Sequence, residues 1–65
     1  MKIGLIGYGN WGKNHARVLT ELGVLSGIYD QDKKIQKKIE SDGYKIFNSI
    51  EEASYESDGV VLATP

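Results

Sequence analysis

The chain has 65 residues, of which 40% are hydrophobic and 26% are charged, and its formal net charge is −1. This balance is typical of a globular domain, and a chain so close to neutral offers no basic footprint for nucleic acid. No apolar run approaches the roughly 20 residues of a membrane span, and no cysteine is present for disulfides or thiolate catalysis. We therefore expect a cytoplasmic protein that binds neither nucleic acid nor membrane.

A glycine motif follows the first predicted strand. The apolar run Met1–Ile6 indicates a buried strand, and a helix is predicted over Trp11–Leu22, ended by Gly23 in a left-handed cap. Between them, Gly7-Tyr8-Gly9-Asn10-Trp11-Gly12 spells G-x-G-x-x-G. A strand before and a helix after make this pattern typical of a dinucleotide-binding turn; alone it would indicate only a glycine-rich turn.

Each glycine of the motif has a predicted task. Gly7 permits the tight turn out of the strand, and Gly9 lets the backbone approach a pyrophosphate. Gly12 lets the helix pack closely against the strand. The free N–H groups and positive dipole end of the helix then face the phosphates. The cofactor-binding candidates in the motif are therefore Gly7, Tyr8, Gly9, Asn10, Trp11 and Gly12.

The first helix is predicted to turn one apolar stripe toward the sheet. Its members are Trp11, His15, Val18, Leu19 and Leu22. Trp11 is expected either to shield the ligand or to anchor the start of the helix. Asn10 could cap the helix with its side chain, which requires no ligand, and His15 is interpreted as a packed residue.

An acid after the second strand indicates which cofactor binds. Val24–Tyr29 reads as a strand that ends at Asp30, about 20 residues beyond the motif, where an acid accepts hydrogen bonds from an adenosine ribose. A carboxylate there would repel a 2′-phosphate, so the sequence favours NAD over NADP. The neighbouring Lys33 and Lys34 could soften that preference. The alternative for Asp30 is a loop aspartate that precedes a helix.

Two further helices and two strands complete the prediction. A helix is expected over Lys33–Asp42, with Asp32 as its cap, a buried stripe of Ile35 and Ile39, four solvated lysines, and Gly43 at its end. Tyr44–Phe47 is strand-like and could form an edge. Ser49–Glu52 has the form of a capping box and predicts a brief helix ending before Ser57. Gly59–Ala63 reads as a buried strand.

The predicted fold is therefore α/β, a Rossmann-like parallel sheet with flanking helices that amounts to half of a dinucleotide-binding domain. Right-handed crossovers give the first three strands the order 3-2-1 and leave the first strand with one side unpaired in this chain. We expect residues 1–65 to be the N-terminal portion of that domain, with its remainder and a C-terminal substrate domain outside the chain. Such an open edge would favour self-association of the isolated chain, so a homo-oligomer is also expected.

Three segments of the chain resemble the Gfo/Idh/MocA oxidoreductases. They are the run from Ile3 to Leu19 that includes the motif, the pair Tyr29-Asp30, and the ending from Asp58 to Pro65. The resemblance implies an NAD-dependent enzyme that oxidises a hydroxyl of a sugar, nucleotide sugar or cyclitol. It also implies that Thr64 and Pro65 lie beside the cofactor.

The same resemblance implies that the proton-transfer lysine and the substrate residues lie beyond Pro65. No catalytic or metal-binding residue is therefore expected in this chain, and Lys13 is interpreted as a surface residue. Two alternatives remain open: a non-catalytic dinucleotide-binding or regulatory module, and a methyltransferase that binds S-adenosylmethionine. The Trp-Gly pair in the turn and the A-T-P ending argue against the methyltransferase.

Overall fold

A parallel sheet with helices on both faces is the framework of the molecule. The computed structural model describes residues 1–63. In chain order its elements are β1 (Ile3–Ile6), α1 (Asn10–Glu21), β2 (Leu25–Tyr29), α2 (Lys33–Ser41), α3 (Ile50–Tyr55) and β3 (Gly59–Leu62). The predicted fold class, an α/β Rossmann-like parallel sheet, is confirmed.

The strand β1 lies at the centre of the sheet, whose order is β2-β1-β3. Both pairings are parallel, with Ile6 beside Tyr29 on one side and beside Leu62 on the other. The prediction that β1 has an unpaired side is therefore wrong. The chain crosses back after α2 and places β3 against β1, so the free edge belongs to β3.

The segment Tyr44–Phe47 makes less sheet than the sequence indicates. Its one parallel bridge joins Ile46 to Ile28, on the outer side of β2. Two backbone bonds hold it: the N–H of Ile28 donates to the oxygen of Lys45 at 2.9 Å, and the N–H of Phe47 donates to the oxygen of Ile28 at 2.7 Å. The predicted edge position is thus correct, although the segment is a bridge and not a full strand.

The sheet separates two apolar clusters. On one face, α1 and α2 enclose Leu5, Tyr8, Ala16, Ile28 and Ile39. On the other, α3 covers Ile6, Phe47 and Ala53. Helices on both faces of a parallel sheet are the doubly wound arrangement, which leaves the carboxyl ends of the strands open to a ligand.

The buried face of α1 differs from the predicted stripe. Gly12 and Ala16 are buried, whereas Trp11 is 73% exposed, Leu22 is 68% exposed and His15 also faces outward. The helix lies so close to the turn that a Cβ at Gly12 would collide with the carbonyl oxygen of Gly7. No side chain fits at Gly12, and of the predicted stripe only Leu19 is half-buried, so the spacing of the large apolar residues did not identify the buried face.

The other helices begin and end much as the sequence predicts. Asp32 caps α2 by accepting from the N–H of Lys34 at 2.8 Å, and Ser49 caps α3 by accepting from the N–H of Glu52 at 3.0 Å. Gly23 and Gly43 have positive φ of 73° and 89°, as expected of left-handed caps. Within residues 1–63, none of the helices has the length and apolar character needed to cross a membrane.

Candidate dinucleotide-binding site

A cleft of about 690 Å³ lies at the carboxyl ends of β1 and β2. This is the edge of a doubly wound sheet where ligands bind. Its walls come from the glycine turn, from the start of α1 and from the loop that joins β2 to α2. The lining includes Gly7, Gly9, Asn10, Trp11, Asp30 and Ile35.

The turn leaves β1 through a backbone conformation that suits glycine. Gly7 has φ of 100°, a region that other residues rarely adopt. Its N–H donates to the carbonyl oxygen of Tyr29 at 2.7 Å, which ties the turn to the end of β2. The turn and the acid after β2 are therefore held side by side, as a site that spans both would require.

No side chain caps the start of α1. Its N-cap is Gly9, and its first turn contains no acidic residue. Asn10 is the first residue of the helix, so the prediction that it caps the helix is wrong. The first N–H groups of a helix carry a partial positive charge and need an acceptor. A Cβ placed on Gly9 would meet nothing within 4 Å, so open space adjoins these donors and could admit a phosphate.

Asp30 is bonded directly to the glycine turn. Its Oδ2 accepts from the N–H of Tyr8 at 3.0 Å, and its Oδ1 accepts from the N–H of Asp32 at 2.9 Å. A carboxylate offers about four acceptor positions, so both oxygens can still accept from a ligand hydroxyl. Its backbone oxygen accepts from the side-chain amide of Gln36 at 2.7 Å. Pattern reasoning found Asp30 but missed Gln36.

The side chain of Tyr8 is buried in the core, although the residue is one of those that line the cleft. The residue is 2% exposed, and its hydroxyl donates to Oδ2 of Asp42 at 2.5 Å. Its ring meets Tyr44 edge-on, with 5.9 Å between centroids. Burial, followed by the hydrogen bond to Asp42, raises the pKa of Tyr8 above its usual range. The Tyr8 hydroxyl and Lys38 lower the pKa of Asp42.

The remaining predicted site residues are distributed unevenly. Trp11 stands exposed at the wall of the cleft, and two residues that pattern reasoning missed, Ile35 and Ile50, supply apolar lining. Thr64 and Pro65 lie outside the described residues, and their cofactor contact stays a prediction. Lys13 is exposed on α1, as expected of a surface residue.

A parallel sheet, a glycine turn entering an uncapped helix and an acid after the second strand define a nucleotide-binding domain of the Rossmann type. The family model for the D-isomer specific 2-hydroxyacid dehydrogenase NAD binding domain matches residues 1–65. The chain belongs to this family. Its cofactor is therefore a nicotinamide dinucleotide.

Two curated relatives carry the same name. The ketol-acid reductoisomerase (NADP(+)) of Clostridioides difficile (strain 630) is 39% identical, over 98% of this chain and 20% of that protein. The enzyme of that name from Corynebacterium urealyticum (strain ATCC 43042 / DSM 7109) is 38% identical, over 98% of this chain and 19% of that protein. The chain thus spans about a fifth of the length of these relatives.

The assignment to the Gfo/Idh/MocA oxidoreductases is wrong, because the family model that matches is a different one. The segments behind that resemblance are largely those that a Rossmann half-domain needs for physical reasons: the turn, the acid after β2 and the apolar strand β3. They identify the fold more securely than the family. The sugar, nucleotide-sugar or cyclitol substrate rested on the same resemblance and has no other support.

Proposed function

We propose that residues 1–65 are the N-terminal portion of a dinucleotide-binding domain and bind the adenosine and pyrophosphate of NAD in an oxidoreductase. The observation that carries this proposal is the bond of 3.0 Å between the Tyr8 N–H and Asp30. In this proposal Asp30 is the ribose-binding acid, and it is bonded to the turn that binds the phosphates. The length of the relatives supports a larger parent protein with the rest of the domain outside this chain.

Each part of the cleft has a role in this proposal. The pyrophosphate lies in the open space at Gly9 and accepts from the uncapped N–H groups at the start of α1. The ribose hydroxyls donate to the carboxylate of Asp30. Trp11 and Ile35 offer apolar surface to the bound cofactor. The bound nicotinamide supplies the hydride chemistry, and the residues of this chain bind and orient the cofactor.

We propose NAD as the preferred form. The carboxylate of Asp30 would face the 2′-phosphate of NADP, which has a like charge. The carboxylate would also lose the 2′-hydroxyl of NAD as a hydrogen-bond donor. The opposing consideration is that both relatives are named for NADP(+). The nearby cations Lys33 and Lys34 are exposed at the start of α2 but do not line the cleft, whose charged lining residues, Asp30 and Asp32, are both acidic.

Substitution of Asp30 in the full-length protein tests the proposal. Asp30→Ala should weaken NAD binding by about 1–3 kcal/mol, the range for a hydrogen bond to a charged group. Asp30→Asn is the matched variant, because the amide oxygen can still accept from the turn while the negative charge is lost. It should relax discrimination against NADP at a smaller cost in NAD affinity. Calorimetric titration of both cofactors checks this, and an unchanged NAD/NADP ratio in both variants would contradict the role of Asp30.

A further inference from the structure

The glycine turn contains one side chain that can hold it in place. Tyr8 lies between Gly7 and Gly9, and glycine has more backbone freedom than any other residue type. Glycines let the turn adopt its shape, but they form no side-chain contact that would keep it there. The side chain of Tyr8 forms two such contacts, and its backbone N–H forms a third bond.

Those three contacts join the turn to the segment after β2 and to the end of α2. The Tyr8 N–H donates to Asp30 after β2, its ring packs on Tyr44, and its hydroxyl donates to Asp42. Asp42 is the C-cap of α2 and lies 34 residues from Tyr8 in the chain. The hydroxyl thus links the phosphate-binding turn to the far end of α2.

Asp42 occupies a position where a carboxylate needs partners. A carboxylate at the C-terminus of a helix faces the negative end of the helix dipole and is disfavoured there. Asp42 has two compensating partners, the Tyr8 hydroxyl and the ammonium group of Lys38 at 3.3 Å. The hydroxyl bond is the largest cause of the lowered pKa of Asp42, so this carboxylate is held ionised as an acceptor for Tyr8.

We propose that Tyr8 is a positioning residue, whose bond to Asp42 fixes the turn in the shape that presents Gly9 and the start of α1 to the pyrophosphate. This inference rests on the proposed function, because it assigns to Tyr8 a share in cofactor affinity without any contact with the cofactor. The side chain acts from behind the turn, through the backbone to which it belongs.

Tyr8→Phe in the full-length protein removes the hydroxyl but keeps the ring in the core. NAD affinity should fall about fivefold to tenfold, the range for one lost hydrogen bond. Asp42→Ala should cause a similar loss. Asp42→Asn, which keeps an acceptor for the hydroxyl, should restore most of the affinity. The double variant Tyr8→Phe/Asp42→Ala should lose no more than either single variant, because both remove the same bond.

The matched control is Ser26→Ala, at the other end of the sheet. It removes a half-buried bond of 2.6 Å between the hydroxyls of Ser26 and Ser57 and should lower stability without changing NAD affinity. If Tyr8→Phe behaves like this control, with reduced stability and unchanged affinity, Tyr8 is a core residue only and the proposal is overturned.

Amide hydrogen exchange separates this proposal from the proposed function. Without added cofactor, Tyr8→Phe should speed exchange at the two hydrogen-bonded amides of the turn, those of positions 7 and 8, whereas Ser26→Ala should not. Faster exchange in a protein that binds neither NAD nor NADP would refute the binding function and keep the role of Tyr8 in fixing the turn. Unchanged exchange would refute that role even if the wild-type protein binds NAD.

Discussion

Two helices begin at the same edge of the sheet, and they begin differently. The start of α2 is completed by its own cap, since Asp32 accepts from the N–H of Lys34. The start of α1 has Gly9 in that position and no side-chain acceptor. Both Gly9 and Asp32 line the same cleft. One helix satisfies one of its first donors with a side chain of its own, and the other does not.

In the proposed function, this difference carries a cost in helix stability. A capping side chain stabilises a helix by about 1 kcal/mol relative to alanine, whereas glycine falls only a few tenths short of a good cap. Glycine at the start of α1 therefore sacrifices little stability, while it keeps the approach to the helix open. Real proteins depart from local rules at functional sites, and the uncapped α1 is such a departure.

Filling the open space should have the largest effect. Gly9 has φ of −69° and free space around a Cβ, so Gly9→Val should fold. Its side chain would occupy the proposed position of the pyrophosphate, and NAD binding should be abolished. Circular dichroism and calorimetric titration check the two halves of this prediction. A folded Gly9→Val protein that keeps its NAD affinity would show that the turn does not cradle phosphate.

Removing the cap of α2 should have the opposite profile. Asp32→Ala should lower the free energy of unfolding by about 1 kcal/mol and leave NAD affinity within about twofold, because the lost bond joins two groups of α2 and none of the cofactor. Ser49→Ala, at the start of α3, is the matched control, since it removes the same kind of cap away from Asp30. Denaturant titration should show a similar loss of stability in both variants, and cofactor titration should show a similar, nearly unchanged NAD affinity. A large loss of affinity in Asp32→Ala alone would mean that Asp32 contacts the cofactor.

Giving α1 the cap that it lacks should have the smallest effect on stability. Gly9→Ser should stabilise the protein by a few tenths of a kcal/mol, because serine is a better cap than glycine. The serine hydroxyl would accept a hydrogen bond from one of the N–H groups that the phosphate needs, so NAD affinity should fall. The free energy of unfolding should therefore rise while NAD affinity falls, as measured by denaturant titration and cofactor titration. A rise in both would contradict the comparison of the two helices.

The features that the sequence predicts best are local. Asp32 and Gly43 act on residues next to them, so both ends of α2 follow from a few letters, and the turn at Gly7 follows in the same way. The second neighbour of β1 depends on where a distant strand returns, which no local pattern encodes. The sequence did not predict the bond between Tyr8 and Asp42 for the same reason, since this bond forms only when α2 packs on the sheet.

The buried face of α1 shows a second kind of limit. Periodicity arguments assume that large apolar residues face the core. Here the closeness of the helix to the turn excludes them, and Gly12 and Ala16 take those positions. Sequence patterns report the polarity of a face but not the distance to which another element approaches it.

The central position of β1 also governs when the fold can form. Its start is bonded to the region of β3: the N–H of Lys2, just before β1, donates to Asp58, 56 residues away, and Ile3 pairs with Gly59. Contacts so distant in sequence slow folding, because the intervening chain must be ordered before they form. On the ribosome, β1 emerges before β2 and β3, and it acquires both neighbours only after β3 has been made. We expect β1 to keep one edge open until β3 has emerged, and an open strand edge needs protection from pairing with other chains during that time.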